Sequence, residues 1–547
     1  MIVETLWRWR VALMAVGVGL LAAMMRFAGL GYPTALVFDE VFYARGAYSL
    51  VTLGFEGDWG GDNQDFAAGD YSELSTDGDY VVHPLVGKML IGLGIQLFGP
   101  TPFGWRFMGA LLGTVTVVIV ALLARHLLRS TVFGAVAGVL LAVDGVHVVL
   151  SRSALLDIYL TFFVVAGFAL LVVDRSRTRS ALLAAADAIR ARSGLSPGDV
   201  LPGMGPRTGV RWWRLAAIIA LSLSVSVKWS GLWFMAAFLL LSVVWDLADR
   251  RAAGVERWFT GAFARAIPAF LVTVVVLPAV YLASWLPWFR SEQSYGRRWA
   301  EENPGEGVTW LPDSLRSLVQ YHQQMWDFHR TLDEPHNYES NPLLWLIQWR
   351  PTAFHFDDAP EAACGAERCV SAIHSLGHPL IWWAGVLVLL YALWRVVRHR
   401  DLLAASLAVG VLAGWLPWLP YSHRTIFTFY TVAIAPFMVL LLVWGLSRIA
   451  RPAAVGWPFA PRSSDRGSEM HGSGQPASEQ LGSAQPVTEQ PVAEHQLVGE
   501  WSRRGSIVVA AFIVAVLLMA AYFAPLWMGT PIPFEYWQVH MWLGSWV

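Results

Sequence analysis

Apolar residues along this chain are gathered into long blocks separated by short polar segments, with none of the period-2 alternation of a half-buried sheet. Eleven blocks are long enough to predict membrane-spanning helices, near 11–30, 104–128, 131–150, 155–174, 213–228, 230–247, 263–285, 380–397, 402–418, 425–447 and 505–526. A helix satisfies its own backbone hydrogen bonds in lipid, so such blocks read as helices. The run 85–98 is too short to cross and predicts an interfacial or re-entrant helix. The first block, 11–30, lacks a small-residue cleavage site and is expected to remain as a span. The fold class expected is an all-α polytopic membrane protein with about eleven spans and outer interfacial helices.

The polar segments set the orientation. Eight Arg lie in 175–214. Arg250, Arg251 and Arg257 follow the sixth span, Arg395, Arg398 and Arg400 the eighth, and Arg448 and Arg451 the tenth. All fall on one side if the N-terminus, with Arg8 and Arg10, is cytoplasmic, which is the positive-inside pattern. The other side receives the loop 31–103, the loop 286–379 and the tail 527–547. Between 31 and 83 stand ten acids and a single base, Arg45. The chain thus divides into a transmembrane region 1–285, an outer loop 286–379, and a four-span region 380–547. Within the last, 451–502 is rich in Ser, Gly, Gln, Pro and Glu, holds the near-repeat GSGQPASEQ and GSAQPVTEQ, and is expected to be a disordered cytoplasmic linker.

Composition agrees with a membrane protein: 56% hydrophobic, against 14% charged. The 29 Trp cluster at the ends of apolar runs, as interfacial belts do. A net charge of −1 gives no sign of a nucleic-acid partner. The two cysteines, Cys364 and Cys369, are either free thiols or a local disulfide, the latter favoured on an oxidising side. Only two of the 39 basic residues are Lys, at 88 and 228, where the usual Arg was not used.

Candidate chemistry lies on the outer side. Asp39 and Glu40 follow the first span, ahead of a run from Val41 to Leu53 expected to pack along the membrane. Adjacent acids on a helix point about 100° apart. One can then take a proton while the other orients a ligand; the plainer reading is two solvated acids. His83 and Lys88 flank Pro84, as a phosphate site or as an interfacial helix with a snorkelling Lys. Arg152 and Asp157 suit either a structural ion pair or a phosphate contact by the arginine. Lys228, beside Trp229, could snorkel or act as a point charge on a leaving group. His423 and Arg424 precede the tenth span, and Arg106 heads the second. Lys88, Arg106, Arg152, Lys228 and Arg424 are cations in a leaflet that disfavours them. An anionic lipid substrate would account for them.

In this order these segments resemble the protein O-mannosyltransferases, glycosyltransferase family 39 of the GT-C superfamily. The resemblance rests on Asp39-Glu40, His83-Pro84 through Lys88, Arg106, Ser151-Arg152 to Leu155-Leu156-Asp157, and Val227-Lys228-Trp229. From about 320 onward, Tyr321 to Phe328 and His336 to Pro342 resemble the bacterial, notably actinobacterial, members and their C-terminal four-span region. Eukaryotic members carry a β-trefoil MIR domain that 286–379 is too short to hold, and the resemblance does not extend to the linker 451–502.

The resemblance implies a GT-C fold with its catalytic region in 1–285. It also implies inverting transfer of mannose from a polyprenyl phosphate to Ser or Thr hydroxyls of secreted or membrane proteins, on the extracytoplasmic face of the plasma membrane. On that basis Asp39 is expected as base and Glu40 as a donor- or acceptor-holding group. Arg152, Lys228 and Arg424 are expected on the phosphate, with His83, Lys88 and Arg106 in the same donor site and Asp157, Trp229 and His423 supporting it. The lipid-linked donor, acceptor proteins and membrane lipids are the expected partners, and coupling to the secretion translocon would suit an unfolded acceptor. No metal-ligand spacing lies near the acidic pair, so no metal or other cofactor is expected. Two rivals stand beside this reading: another GT-C transferase, for aminoarabinose or arabinose, which shares the topology, and a flippase for the lipid donor, which is of a different class. Against the second, no repeated halves are visible.

Overall fold

The computed structural model describes residues 2–452 and 501–547, with side chains from residue 9 onward. Most of the linker expected at 451–502 therefore lies outside the described residues. A helix stands at each of the eleven expected spans, but not all are uninterrupted crossings. Among the described residues, eight helices are long and apolar enough to cross, or nine if one bent pair is a single span.

The three departures from eleven have local causes. The expected third span is broken into Thr131–Ala142 and Gly145–Ser151, bent by 64°. Asp144 sits at the break and caps the second piece, its Oδ1 accepting from His147 N at 3.1 Å. Its Oδ2 accepts from His378 N at 3.2 Å and Trp382 Nε1 at 2.8 Å, so the break ties the first half of the chain to the last. Trp212–Val227 and Ala435–Ala450 have 16 residues each, about 24 Å of helix against a core of about 30 Å. The second is preceded by a 3-10 turn, Thr428–Ala433, which takes up the rest of the expected tenth span.

Close helix packing uses small residues, because lipid supplies no hydrophobic drive between spans. A Cβ added at Gly134 would stand 2.8 Å from Ala121 O and from Met14 Sδ, and one at Gly138 would strike Val18. At one end of the bundle, carboxylates and guanidiniums staple the spans. Asp249 takes Arg175 and Arg179 at 3.0 and 2.7 Å. Arg211 and Arg214 both pair with Asp174 and Asp246. The Arg-rich segment 175–214 is thus partly internal rather than solvated.

The opposite end carries the loops. Glu40–Thr52 packs on Val86–Phe98, which lies against Pro102–Leu128. The all-α expectation holds for the bundle, yet two small sheets roof it. Gly57–Trp59 pairs with Leu74–Gly78, and Thr352–Ala359 pairs antiparallel with Cys369–Ser375. Ile532–Pro533 of the tail adds a third strand to the second sheet. Cys364 and Cys369 form a disulfide at the turn of that hairpin. The segment 286–379 contains the 19-residue helix Asp313–Thr331. Leu318, Tyr321 and Met325 of this helix bury against Leu85, Trp285 and Trp288.

Candidate active site

A cavity of about 1120 Å³ opens between the outer helices and the loops, large even for a small-molecule site. Its geometry starts with Phe38, a non-glycine residue at φ +48°. Left-handed backbone costs an L-residue roughly 1–2 kcal/mol. Here the Phe38 ring is caged by Phe354 (4.9 Å, stacked), Phe427 (5.4 Å) and Phe429 (5.5 Å). The turn sends the two acids to different places. Asp39 stands at the N-cap of Glu40–Thr52, makes no cap bond with its side chain, and lines the cavity. Glu40 is wholly buried and faces the protein.

Glu40 is fully bonded. Its carboxylate accepts from Arg106 Nε and Nη2, both at 2.8 Å, from Ala154 N at 2.9 Å and from Val37 N at 3.0 Å. Arg106 also donates to the carbonyls of Leu30, Pro33 and Ala35 at 3.4, 2.7 and 3.0 Å. Arg152 donates to those of Arg26, Ala28 and Gly29 at 3.0, 2.7 and 3.1 Å. Two guanidiniums thus fasten the connection from the first span to Asp39. Neither they nor Glu40 line the cavity.

Of the other expected site residues, His83, Lys88, Lys228, Trp229 and Arg424 line the cavity. Lys88 is paired with Glu56. Lys228 Nζ is 3.0 and 3.2 Å from the two Asp157 oxygens and 4.1 Å above the Tyr430 ring. Asp157 thus holds Lys228 from behind. Arg424 is half-buried and has no carboxylate partner among the described residues; its buried Nε bonds nothing. His423 is exposed and does not line the cavity.

The electrostatics follow from this placement. Burial raises the Asp39 carboxyl from its ordinary 3.8 to about 7; Lys228 pulls the other way and Asp157 adds to the rise. Burial, with Lys228, His329, Lys88 and Arg424 nearby, holds His83 well below the usual imidazole range. His329 is likewise pushed down, to about 4, chiefly by burial. Both imidazoles are therefore neutral hydrogen-bonding groups at physiological pH.

Several cavity residues are absent from the sequence-derived set. His329 stacks on His83 at 5.0 Å and hydrogen-bonds Val82 O through Nε2 at 2.8 Å. Trp229 Nε1 donates to the Tyr281 hydroxyl, which meets His322 Nε2, each at 2.8 Å. Tyr43, Asp79, Tyr421 and Tyr430 complete the polar wall. One available signal was the spacing of His322 and His329, seven apart and hence on one face of Asp313–Thr331. The opposite wall, with Leu232, Trp233, Leu277 and Pro278, is apolar. Among the described residues no group of three metal-ligating side chains occurs.

Residues 63–186 match the family model of dolichyl-phosphate-mannose-protein mannosyltransferase. Residues 314–447 match that of the C-terminal four TMM region of protein-O-mannosyltransferase. The chain is 36% identical over 537 residues to the polyprenol-phosphate-mannose–protein mannosyltransferase of Mycobacterium tuberculosis, covering 96% of this chain and 90% of that one. It is 34% identical over 535 residues to the protein of that description in Mycolicibacterium smegmatis, with 96% and 91% covered. For the Corynebacterium glutamicum relative the identity is 32% over 540 residues, with 97% and 92% covered. In fold it is similar to a chain of the S. cerevisiae Pmt1–Pmt2 complex bound to the sugar donor: TM-score 0.63, 15% identity, 98% of this chain and 92% of that one covered. Asp39 precedes the first matched interval.

Proposed function

This chain belongs to the protein O-mannosyltransferase family and has the GT-C membrane fold, and from that premise we propose how its residues carry out the transfer. It is a multi-span membrane mannosyltransferase that uses a polyprenyl-phosphate-linked mannose and protein acceptors. In this reading Asp39 is the base. The acceptor Ser or Thr oxygen attacks the anomeric carbon, the bond from that carbon to the phosphate oxygen breaks, and the hydroxyl proton passes to Asp39. A single displacement of this kind inverts the sugar and needs one carboxylate, with no covalent intermediate. The leaving group is a phosphate, which needs charge stabilisation rather than a proton. Arg424, the cavity cation without a carboxylate partner among the described residues, and Lys228 supply it, and no metal takes part. The neutral imidazoles of His83 and His329 suit sugar hydroxyls, and the apolar wall suits the first isoprene units.

Glu40 takes a different part from its neighbour in this scheme. Its four bonds go to protein groups, so it serves Asp39 by holding the loop rather than by holding substrate. The cavity belongs on the extracytoplasmic side, with the N-terminus cytoplasmic and the tail outside. That orientation is supported by Asp157 beside the cavity and Asp174 in the arginine staples, 17 residues apart on Leu156–Arg192 and so about 26 Å along the axis. Delivery beside the secretion translocon would present unfolded hydroxyls; nascent acceptors should then be modified better than folded ones.

The observation that carries the reading is Asp39 itself, an uncapped carboxyl with its pKa raised to about 7, in the cavity that also holds Lys228 and Arg424. The test is mannose transfer from polyprenyl phosphate mannose to a Ser/Thr-rich peptide by membranes carrying wild type or Asp39→Asn. Loss of about 100-fold or more is expected, the usual scale for a general base. Transfer by Asp39→Asn at the wild-type rate would remove Asp39 from the chemistry.

A further inference from the structure

Far from the cavity, the ends of Gly231–Ala252 and Trp258–Ser284 enclose a groove of about 540 Å³ lined by Val244, Leu247, Ala248, Arg251, Ala252 and Trp258. The spacing 244, 247, 248, 251, 252 is one face of a helix. That face is apolar until its last turn, where Arg251 sets its guanidinium 5.5 Å from the centre of the Trp258 ring. Trp258 also lines a second hollow of about 480 Å³, which includes Arg257 and Phe259. Its one acid, Glu256, accepts a hydrogen bond from Gly203 N at 2.9 Å. Arg265 lies seven residues beyond Trp258 on the same helix face. No carboxylate pairs with Arg251, Arg257 or Arg265 among the described residues, whereas Arg175, Arg179, Arg211 and Arg214 nearby are all paired.

Two further observations describe the groove's surroundings. No part of the most apolar stretch of Trp258–Ser284 is buried inside the protein, so lipid is its neighbour. The other end of the same helix contributes Leu277, Pro278 and Tyr281 to the cavity, about 20 residues and hence about 30 Å away, in the opposite leaflet.

We propose that this groove is a site for an anionic glycerophospholipid of the leaflet opposite the cavity, the cytoplasmic leaflet in the orientation above. Its phosphate sits on Arg251 beside the Trp258 ring, with Arg257 of the adjoining hollow adding a second positive charge, and an acyl chain lies along Val244, Leu247 and Ala248. The ligand class follows from charge and shape: an amphiphile with an anionic head meets unpaired guanidiniums at the rim of an apolar trough. Basic pockets between helices on the cytoplasmic side take anionic headgroups for this reason.

The test uses the purified, delipidated full chain, titrated by native mass spectrometry with phosphatidylglycerol and with phosphatidylcholine of the same acyl chains. The first phosphatidylglycerol is expected to bind about tenfold more tightly than phosphatidylcholine. Arg251→Gln with Arg257→Gln should abolish the preference and Arg251→Lys should keep most of it. Arg398→Gln, which removes an exposed charge from a helix end outside the groove, should change nothing. Ala248→Trp, which fills the trough and leaves the guanidiniums intact, should also remove the tight site, so the inference stands or falls even if the double variant does not fold. Equal binding of the two lipids by wild type, or as large a loss from Arg398→Gln, would overturn it. So would polyprenyl phosphate displacing phosphatidylglycerol at equal concentration. None of these readouts depends on mannose transfer.

Discussion

Glu40 and Arg106 meet through two parallel bonds of 2.8 Å, and the arginine's remaining reach goes to the carbonyls of Leu30, Pro33 and Ala35. The pair is buried, so removing one partner strands a charge and typically costs about 3–5 kcal/mol. Arg106→Ala is therefore expected to lower the thermal midpoint as well as the transfer rate. Glu40→Gln, which keeps the shape and weakens the pair, should lower kcat while leaving the KM for donor close to wild type. Kinetics with varied polyprenyl phosphate mannose check this, and a large rise in donor KM would instead put Glu40 on the substrate.

Asp39 should leave two opposite marks on pH dependence. As a base it must be ionised, so transfer rises as pH increases through about 7. Its folded-state pKa lies above the ordinary 3.8, so the folded protein holds the proton more tightly than the unfolded chain does. Stability is then lost as pH rises from about 4 to about 7, and the full cost persists above. Asp39→Asn is accordingly expected to be inactive yet more heat-stable than wild type at pH 8, with the gap closing as pH falls from about 7 to about 4. Melting curves of both proteins across that range check it.

Arg424 and Lys228 should separate in mutagenesis. Arg424→Gln removes a cation without a carboxylate partner among the described residues, so the fold should survive while kcat/KM for the donor falls about 10- to 100-fold, the scale of a charged hydrogen bond. Lys228→Gln leaves Asp157 unpaired, so it should lose stability too. Lys228→Gln combined with Asp157→Asn should regain the stability and not the activity. Thermal midpoints and rates on the four proteins make the comparison.

In the proposed scheme side chains alone stabilise the leaving phosphate, so mannose transfer should be unaffected by a strong chelator. Membranes dialysed against excess EDTA and assayed without added divalent ions should keep the wild-type rate. A loss that Mg²⁺ or Mn²⁺ restores would count against the scheme.

The positions of the spans were legible because length and apolarity alone mark them. The break at Asp144 was not: its acceptors bond His378 N and Trp382 Nε1, more than 230 residues away. The five outer cations were legible as a group, yet their fates differ for the same reason. Glu56 takes Lys88, Glu40 takes Arg106, Asp157 takes Lys228, and backbone carbonyls take Arg152. No local spacing announces such pairs, which form only when distant helices meet. Tyr430 and His329 went unnoticed because interfacial aromatics and histidines are common in membrane proteins. The strand Thr352–Ala359 was hidden in a Trp- and His-rich segment whose partner strand lies across a disulfide-closed turn.

The cage around Phe38 has a consequence for inheritance. The residue that aims Asp39 belongs to the first forty of the chain, while the rings that hold it, Phe354, Phe427 and Phe429, come from beyond residue 350. A chimera that joined residues 1–285 of this chain to the remainder of a distant relative would carry the proposed base but not its aim unless those three rings travelled with it. The two halves are thus free to diverge in sequence only as a matched set.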